Sequence, residues 1–111
     1  MKREQRLTRG GDFARVYDHG KSWVNNLLVM RATPSELENT RIGFSVSKRV
    51  GNAVVRNRVK RMLRQAVQSG TWEAGWDVVI IARSAAAMGD FHQIGTAVDD
   101  LGRRSGLRRP G

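Results

Sequence analysis

Eight basic side chains, Arg41, Lys48, Arg49, Arg56, Arg58, Lys60, Arg61 and Arg64, crowd one stretch, RIGFSVSKRVGNAVVRNRVKRMLR, that contains no carboxylate. Asp and Glu are absent from the whole interval between Glu38 and Glu73, although ten occur elsewhere. Like charges repel and find no partner inside such a block, so its folded form calls for an external polyanion. Phosphate backbones are the commonest one a protein meets. The chemistry legible here is the binding of nucleic acid.

The rest of the composition narrows the classes. Net charge is +10, and sixteen of the twenty basic residues are Arg, whose planar fork grips phosphate and stacks on bases. A length of 111 residues and a 40% hydrophobic content fit one folded domain with a modest core. No apolar run approaches the roughly 20 residues of a spanning helix, and the opening MKREQRLTRGG lacks the apolar segment of a signal peptide. Without Cys there are no disulfides or thiolate zinc sites, which agrees with a cytoplasmic location. His19 and His92 have no carboxylates at ligand spacing, Gly51-Asn52 lacks the Gly-Lys-Ser/Thr of a phosphate loop, and the acids are scattered in ones and twos. No catalytic or metal-binding residue stands out in the chain.

The elements that must position the basic block follow from periodicity. A helix is expected over Asp12–His19, with Asp12 as its cap, Phe13, Val16 and Tyr17 on one face and Gly20 after its end. Trp23–Ala32 reads as extended, interrupted near Asn25-Asn26, and Thr33–Thr40 as a loop. Arg41–Ser47 alternates, with Ile42, Phe44 and Val46 on one side, as a half-buried strand does. Asn52 is placed to cap a long helix reaching about Ser69, and Gly70 ends it. Val78–Ala82 has the continuous apolar character of a central strand, and Asp90 caps a last helix to Arg104. Residues 1–9 read as a flexible basic arm or a strap over the fold, and residues 105–111 as a frayed tail. The order α-β-β-β-α-β-α points to an α/β fold, a single-domain two-layer sandwich.

On the long helix, Val55, Val59, Met62, Leu63, Ala66 and Val67 share one arc at about 100° per residue and face the core. Arg56 is expected to lie along the sheet edge, and Arg58 to point away from the apolar arc. The three residues Arg56-Asn57-Arg58 aim in three directions, so at least one is expected to order the Ser47–Asn52 turn. A merely solvated face would interleave Glu with Lys. A helix-turn-helix DNA reader would need a short partner helix, whereas here strands flank the long one. An RNA-recognition sheet would need closely spaced aromatics on one strand. Shape recognition of folded RNA fits the pattern best.

Ser45–Arg64, SVSKRVGNAVVRNRVKRMLR, with its Arg56-Asn57-Arg58 core, resembles the protein subunit of bacterial ribonuclease P. LTRGGDFARVYDHGKS (Leu7–Ser22) is similar to that family's opening helix, and DVVIIAR (Asp77–Arg83) to its last strand, so the likeness spans nearly the whole chain. It implies a left-handed β-α-β crossover. It also implies a catalytic RNA partner that removes the 5′ leader of precursor tRNA by metal-assisted hydrolysis. The protein would bind the RNA and hold the leader without supplying a catalytic group, and the Mg2+ would be held mainly by the RNA.

Carried onto this sequence, Lys48, Arg49, Asn52, Arg56, Asn57, Arg58, Lys60, Arg61 and Arg64 would contact the ribozyme or shape its site. Phe13 and Tyr17 match aromatics lining a leader cleft between the first helix and the sheet, where single-stranded bases stack with little sequence demand. Family members often carry Arg at the position of Asn26 and an aromatic at that of Arg31. Arg31 would therefore bring phosphate attraction to the cleft in place of stacking. Core packing or a sheet-edge cover is the expectation for Trp72 and Trp76. A ribosomal or other structural RNA-binding protein is the alternative, a DNA-binding regulator a weaker one and a protein-only nuclease the weakest.

Overall fold

The run Val78-Val79-Ile80-Ile81-Ala82 offers no polar side chain to water on either face, and it forms the middle of the sheet. The structure is a computed structural model that describes residues 6–7 and 10–109. Its elements run α1 (Gly10–His19), β1 (Lys21–Val24), β2 (Leu28–Pro34), β3 (Arg41–Ser45), α2 (Ala53–Gln68), β4 (Thr71–Trp72), β5 (Trp76–Ala82), a 3-10 turn (Ser84–Met88), α3 (Phe91–Arg104) and β6 (Arg108–Arg109). The main sheet has the order β1-β2-β5-β3, with β3 parallel to β5 and the other pairs antiparallel. The chain is thus a mixed α/β fold in the expected order, with a β4–β6 ribbon added. Among the described residues no helix is long and apolar enough to cross a membrane.

Alternation along β5 divides the interior. Val78, Ile80 and Ala82 join Leu28, Met30 and Ile42 under the apolar arcs of α2 and α3, in the main core. Val79 and Ile81 face the other way and meet Val16, Phe13 and Leu7. The sheet against α2 and α3 makes the sandwich, and α1 crosses the opposite face.

Caps set the ends of α2 and α3 as the sequence suggests. Asn52 accepts from the Val55 amide at 3.0 Å, and Asp90 forms a capping box with Gln93. The break near Asn25-Asn26 also has a cause. Asn25 Oδ1 accepts from the amides of Leu27 and Leu28, while its Nδ2 donates to Ala97 O at 3.0 Å and to Asp100 Oδ2 at 3.1 Å. One side chain shapes the β1–β2 turn and ties it to α3.

Two expectations need correction. Helix α1 runs from Gly10, so Asp12 lies within its first turn and not at its cap, and its carboxylate pairs with Arg41 at 3.3 Å. The tail is not frayed through Arg109. Leu107 and Arg108 are buried, and Arg108 and Arg109 pair with β4. The Arg108 guanidinium donates to Ala66 O and Ser69 Oγ near the end of α2 and lies over the Trp72 ring at 5.4 Å. Most of the basic arm lies outside the described residues, but Arg6 bridges Ile42 on β3, and Leu7, which is buried, donates its amide to Ile42 O.

Asp77 anchors the second face. It is fully buried at the start of β5 and accepts from Arg41 Nε and Nη2, at 2.9 and 2.8 Å, and from Arg15 on α1. The same hydrogen bonds raise the pKa of Arg41 above the ordinary guanidinium value. Removing one partner of a buried pair leaves uncompensated charge, at about 3–5 kcal/mol. Asp77→Asn is expected to lower the unfolding free energy in urea by about 3 kcal/mol, since Arg15 keeps some solvent. The exposed Asp18→Asn should stay within ~0.5 kcal/mol of the parent.

Asp100 supplies a pH test. The hydrogen bond from Asn25, helped by Arg104 and opposed by burial, holds its carboxyl below the usual value. A lowered folded pKa means stability that is fully present above the unfolded value, ~3.9, and lost as pH falls through the folded one. The stability gap between the parent and Asn25→Ala should therefore narrow in unfolding curves taken below about pH 4.

Candidate nucleic-acid interface

With Val59, Met62, Leu63, Ala66 and Val67 buried, the 100° step of α2 sends its remaining side chains in three directions. Val54, 77% exposed, and the exposed Asn57 and Arg61 point outward. Arg56, Lys60 and Arg64 recur every fourth residue along the flank toward β3, where Lys60 and Arg64 line a cleft with Phe44 and Ile42. Arg56 opens that row, half-buried, and its Nε has no hydrogen-bond partner among the described residues. Arg58 takes the opposite flank.

Arg58 overturns an expectation. It does not point away from the apolar arc: the guanidinium reaches the 3-10 turn and donates to the carbonyls of Ala87 and Gly89. Its position is about a quarter turn from the centre of the buried arc, within reach of the next element for a long side chain. The Ser47–Asn52 turn is likewise not organised by an arginine among the described contacts. Val50 N donates to Ser47 O, Arg49 N to Ser47 Oγ, and Val50 is buried as an anchor. Ser47, Lys48 and Arg49 are left exposed beside the N-terminus of α2.

Ion pairs among the described residues join Arg15 and Arg41 to Asp77, Arg41 to Asp12, Arg103 and Arg108 to Asp99, Arg104 to Asp100, and Arg109 to Glu73. None includes Lys48, Arg49, Arg56, Arg58, Lys60, Arg61 or Arg64. Of the eight cations in the acid-free stretch, only Arg41 is ion-paired among the described residues. Like charges four apart on a helix cost about 0.2–0.5 kcal/mol per pair, and Arg56, Lys60 and Arg64 form two such pairs. A phosphate-bearing partner relieves that repulsion.

On the opposite sheet face, α1 leaves part of the sheet open. Phe13 packs on Gly43, where a Cβ would stand 2.6 Å from the ring's Cζ. Tyr17 sits one turn on, 38% exposed, with its ring centroid 6.5 Å from that of Phe13. Beyond the helix, the strand register aligns Val24, Val29, Ile81 and Ser45 in one row. Val24 is 46% exposed and the others half-buried. This is an apolar floor beside two aromatic rings.

Arg31 reaches from the sheet to the end of α1. Its Nη2 donates to Tyr17 O at 2.7 Å and Gly20 O at 3.1 Å, so it holds the C-terminal end of α1. Phe13 also lines the cleft of Lys60 and Arg64, a hollow of about 280 Å³ shared with Arg6, Leu7 and Phe44 along the edge of β3 that Arg6 bridges. Sequence reasoning missed Arg6 and Phe44 there, since it assigned one to the arm and the other to the core. Trp72 and Trp76 pack against the main core, and Trp72 Nε1 donates to Val67 O at 2.9 Å.

Comparison with known proteins gives one consistent result. A family model described as Ribonuclease P matches residues 1–106. The ribonuclease P protein component of Dehalococcoides mccartyi is 48% identical over 87 residues, covering 78% of this chain and 72% of that protein. The Bacillus cereus component is 40% identical over 112 residues, covering 98% and 97%. The solved RNase P protein of Staphylococcus aureus superposes with a TM-score of 0.86 at 30% identity, over 95% of this chain and 98% of that one. The Thermotoga maritima protein superposes with a TM-score of 0.81 at 28% identity, over 89% and 96%.

Two arginines three residues apart separate holding from contacting. Arg58→Ala removes charged hydrogen bonds of about 1.5–3 kcal/mol, and its melting temperature should fall by several degrees. Arg61→Ala, whose side chain is exposed, should melt within about a degree of the parent.

Proposed function

The chain belongs to the ribonuclease P protein family, and on that footing we propose that its acid-free surface docks on the catalytic RNA while the open sheet face holds the 5′ leader of precursor tRNA. It is the protein component of an endoribonuclease that matures tRNA, and catalysis in that holoenzyme resides in the RNA. The observation that carries the reading is the presence of two distinct surfaces on one small domain. One presents Lys48, Arg49, Asn57 and Arg61 around the first half of α2, free of carboxylates; the other is an apolar floor flanked by Phe13 and Tyr17.

Each surface suits its partner for a physical reason. Lys48 and Arg49 stand in an exposed turn ahead of a long helix whose N-terminal dipole adds positive potential, and Arg61 follows two turns later. Folded RNA presents phosphates at such spacings, and the protein needs no base contacts to bind it. The leader is single-stranded and exposes base faces to Tyr17 and the floor. Arg58 and Asn52 act one step back, the first by fixing the 3-10 turn, the second by capping α2. Magnesium for hydrolysis is assigned to the RNA, and the complex to the cytoplasm. A purely structural RNA-binding role would leave the aromatic-flanked sheet face without a use.

Cleavage of precursor tRNA by a bacterial ribonuclease P RNA at low magnesium is expected only when this protein is present. Arg61→Ala should weaken ribozyme binding and reduce the salt slope of log K by about 1. Tyr17→Ala should weaken binding of precursor by about 5- to 100-fold and leave mature tRNA unaffected. Stimulation without any loss of leader discrimination in Tyr17→Ala would move the leader off this face.

A further inference from the structure

Met88 is 90% exposed, more than any other large apolar side chain among the described residues, yet the 3-10 turn that carries it is held from two sides. Ala86 is buried in the main core beneath it. From α2, the Arg58 guanidinium donates to the carbonyls of Ala87 and Gly89, on either side of Met88. The turn is therefore a fixed mount, and folding buries almost none of the side chain it presents. A fixed mount lowers the ordering cost of a contact made there. The unbranched, polarizable thioether of Met adapts to an irregular partner.

Topology decides what else that partner meets. Strands β3 and β5 run parallel with Ser45 opposite Ile81, so the segments that leave them, Val46–Asn52 and Arg83–Met88, emerge at one end of the sheet. Leu28 pairs with Ala82, which brings the β1–β2 turn to the same end. Arg83 is exposed there, donates to Asn25 O at 2.6 Å and joins no ion pair among the described residues. Val54, 77% exposed, precedes Arg58 by four residues and shares its stripe of α2. Two apolar side chains thus share one end of the molecule with Lys48, Arg49 and Arg83. Asp90, the carboxylate next to the turn in sequence, is engaged as the cap of α3.

Resting on the RNA-docking reading above, we infer that the 3-10 turn is a further contact for the catalytic RNA, with Met88 and Val54 against sugar and base faces and Arg83 on a phosphate. The cations favour a polyanion over an apolar protein partner. Continuity with Lys48 and Arg49 joins the turn to the surface that faces the ribozyme. The patch is carried on the α2 side of the sheet, whereas the leader floor lies on the α1 side. An apolar contact releases no counterions, so the affinity it adds is not removed by salt.

The test is binding of the full chain to a bacterial ribonuclease P RNA across a range of salt concentrations. Met88→Ser is expected to bind about tenfold more weakly with an unchanged salt slope, and to melt within about a degree of the parent. Arg83→Gln, which keeps a donor for Asn25 O, should reduce the slope by about 1. Unchanged affinity in Met88→Ser overturns the contact, as does a loss seen only in precursor binding by the assembled holoenzyme. A dimer found by sedimentation without RNA, dispersed by Met88→Ser while RNA affinity is kept, would make the patch a self-association surface and reject the inference. If Met88→Ser binds normally and Arg61→Ala is impaired, the turn fails and the docking surface stands. If Met88→Ser is impaired and Arg61→Ala binds normally, the turn stands and the docking surface around Arg61 fails.

Discussion

A fully buried carboxylate gripped by two arginines is the interaction on which the rest of the molecule depends. Asp77 stands at the head of the central strand, opposite Arg41 on β3, and Arg15 reaches it from α1. Without that contact the first helix would keep the Asp12–Arg41 pair, the Arg31 bonds at its C-terminal end and the packing of Val16 and Phe13 on Val79 and Ile81. Its angle over the sheet decides where Phe13 and Tyr17 stand and how much of the floor stays open. The same carboxylate removes Arg15 and Arg41 from the charge available to RNA. An anionic partner accordingly meets a surface whose positive residues are sorted by position in the fold.

That sorting is the electrostatic plan of the chain. The ion-paired carboxylates sit under α1, on α3 or beside the C-terminal ribbon, where each has an arginine partner. The turn before α2 and the helix itself carry cations that join no ion pair among the described residues. A protein of this size gains nothing in stability from such segregation. What it gains is a field directed from one side, which orients a polyanion before contact and leaves close-range fitting to the aromatic floor and the edge of β3.

Much of this was legible in the residues. The alternation of Ile42 and Phe44, the unbroken apolar run of β5 and the caps Asn52 and Asp90 are local signals, and they set the element order. The basic helix could be read because its charges and its apolar arc obey one period. The unread parts depend on long side chains reaching across the fold. Arg58 finds carbonyls about thirty residues away in sequence, Arg31 holds a helix end, and Arg108 lies between two elements. A helical wheel gives the direction of a Cβ and says nothing of what a guanidinium meets six ångströms further out. Asp12 looked like a cap for a similar reason, since its real partner is on another strand.

Arg108 constrains more than its own position. A Cβ on Gly70 would lie 2.3 Å from its Nε, and one on Gly102 would lie 2.6 Å from its Cβ. These two glycines and the arginine form one mutational unit spread over three elements. Descent can alter any of the three easily only if the others change with it. A lineage that loses the arginine is free to fill Gly70, which faces the guanidinium, whereas Gly102 abuts the β-carbon and stays constrained by any side chain at position 108. Drift at these positions should be correlated, even though none of them lies on a surface assigned to RNA.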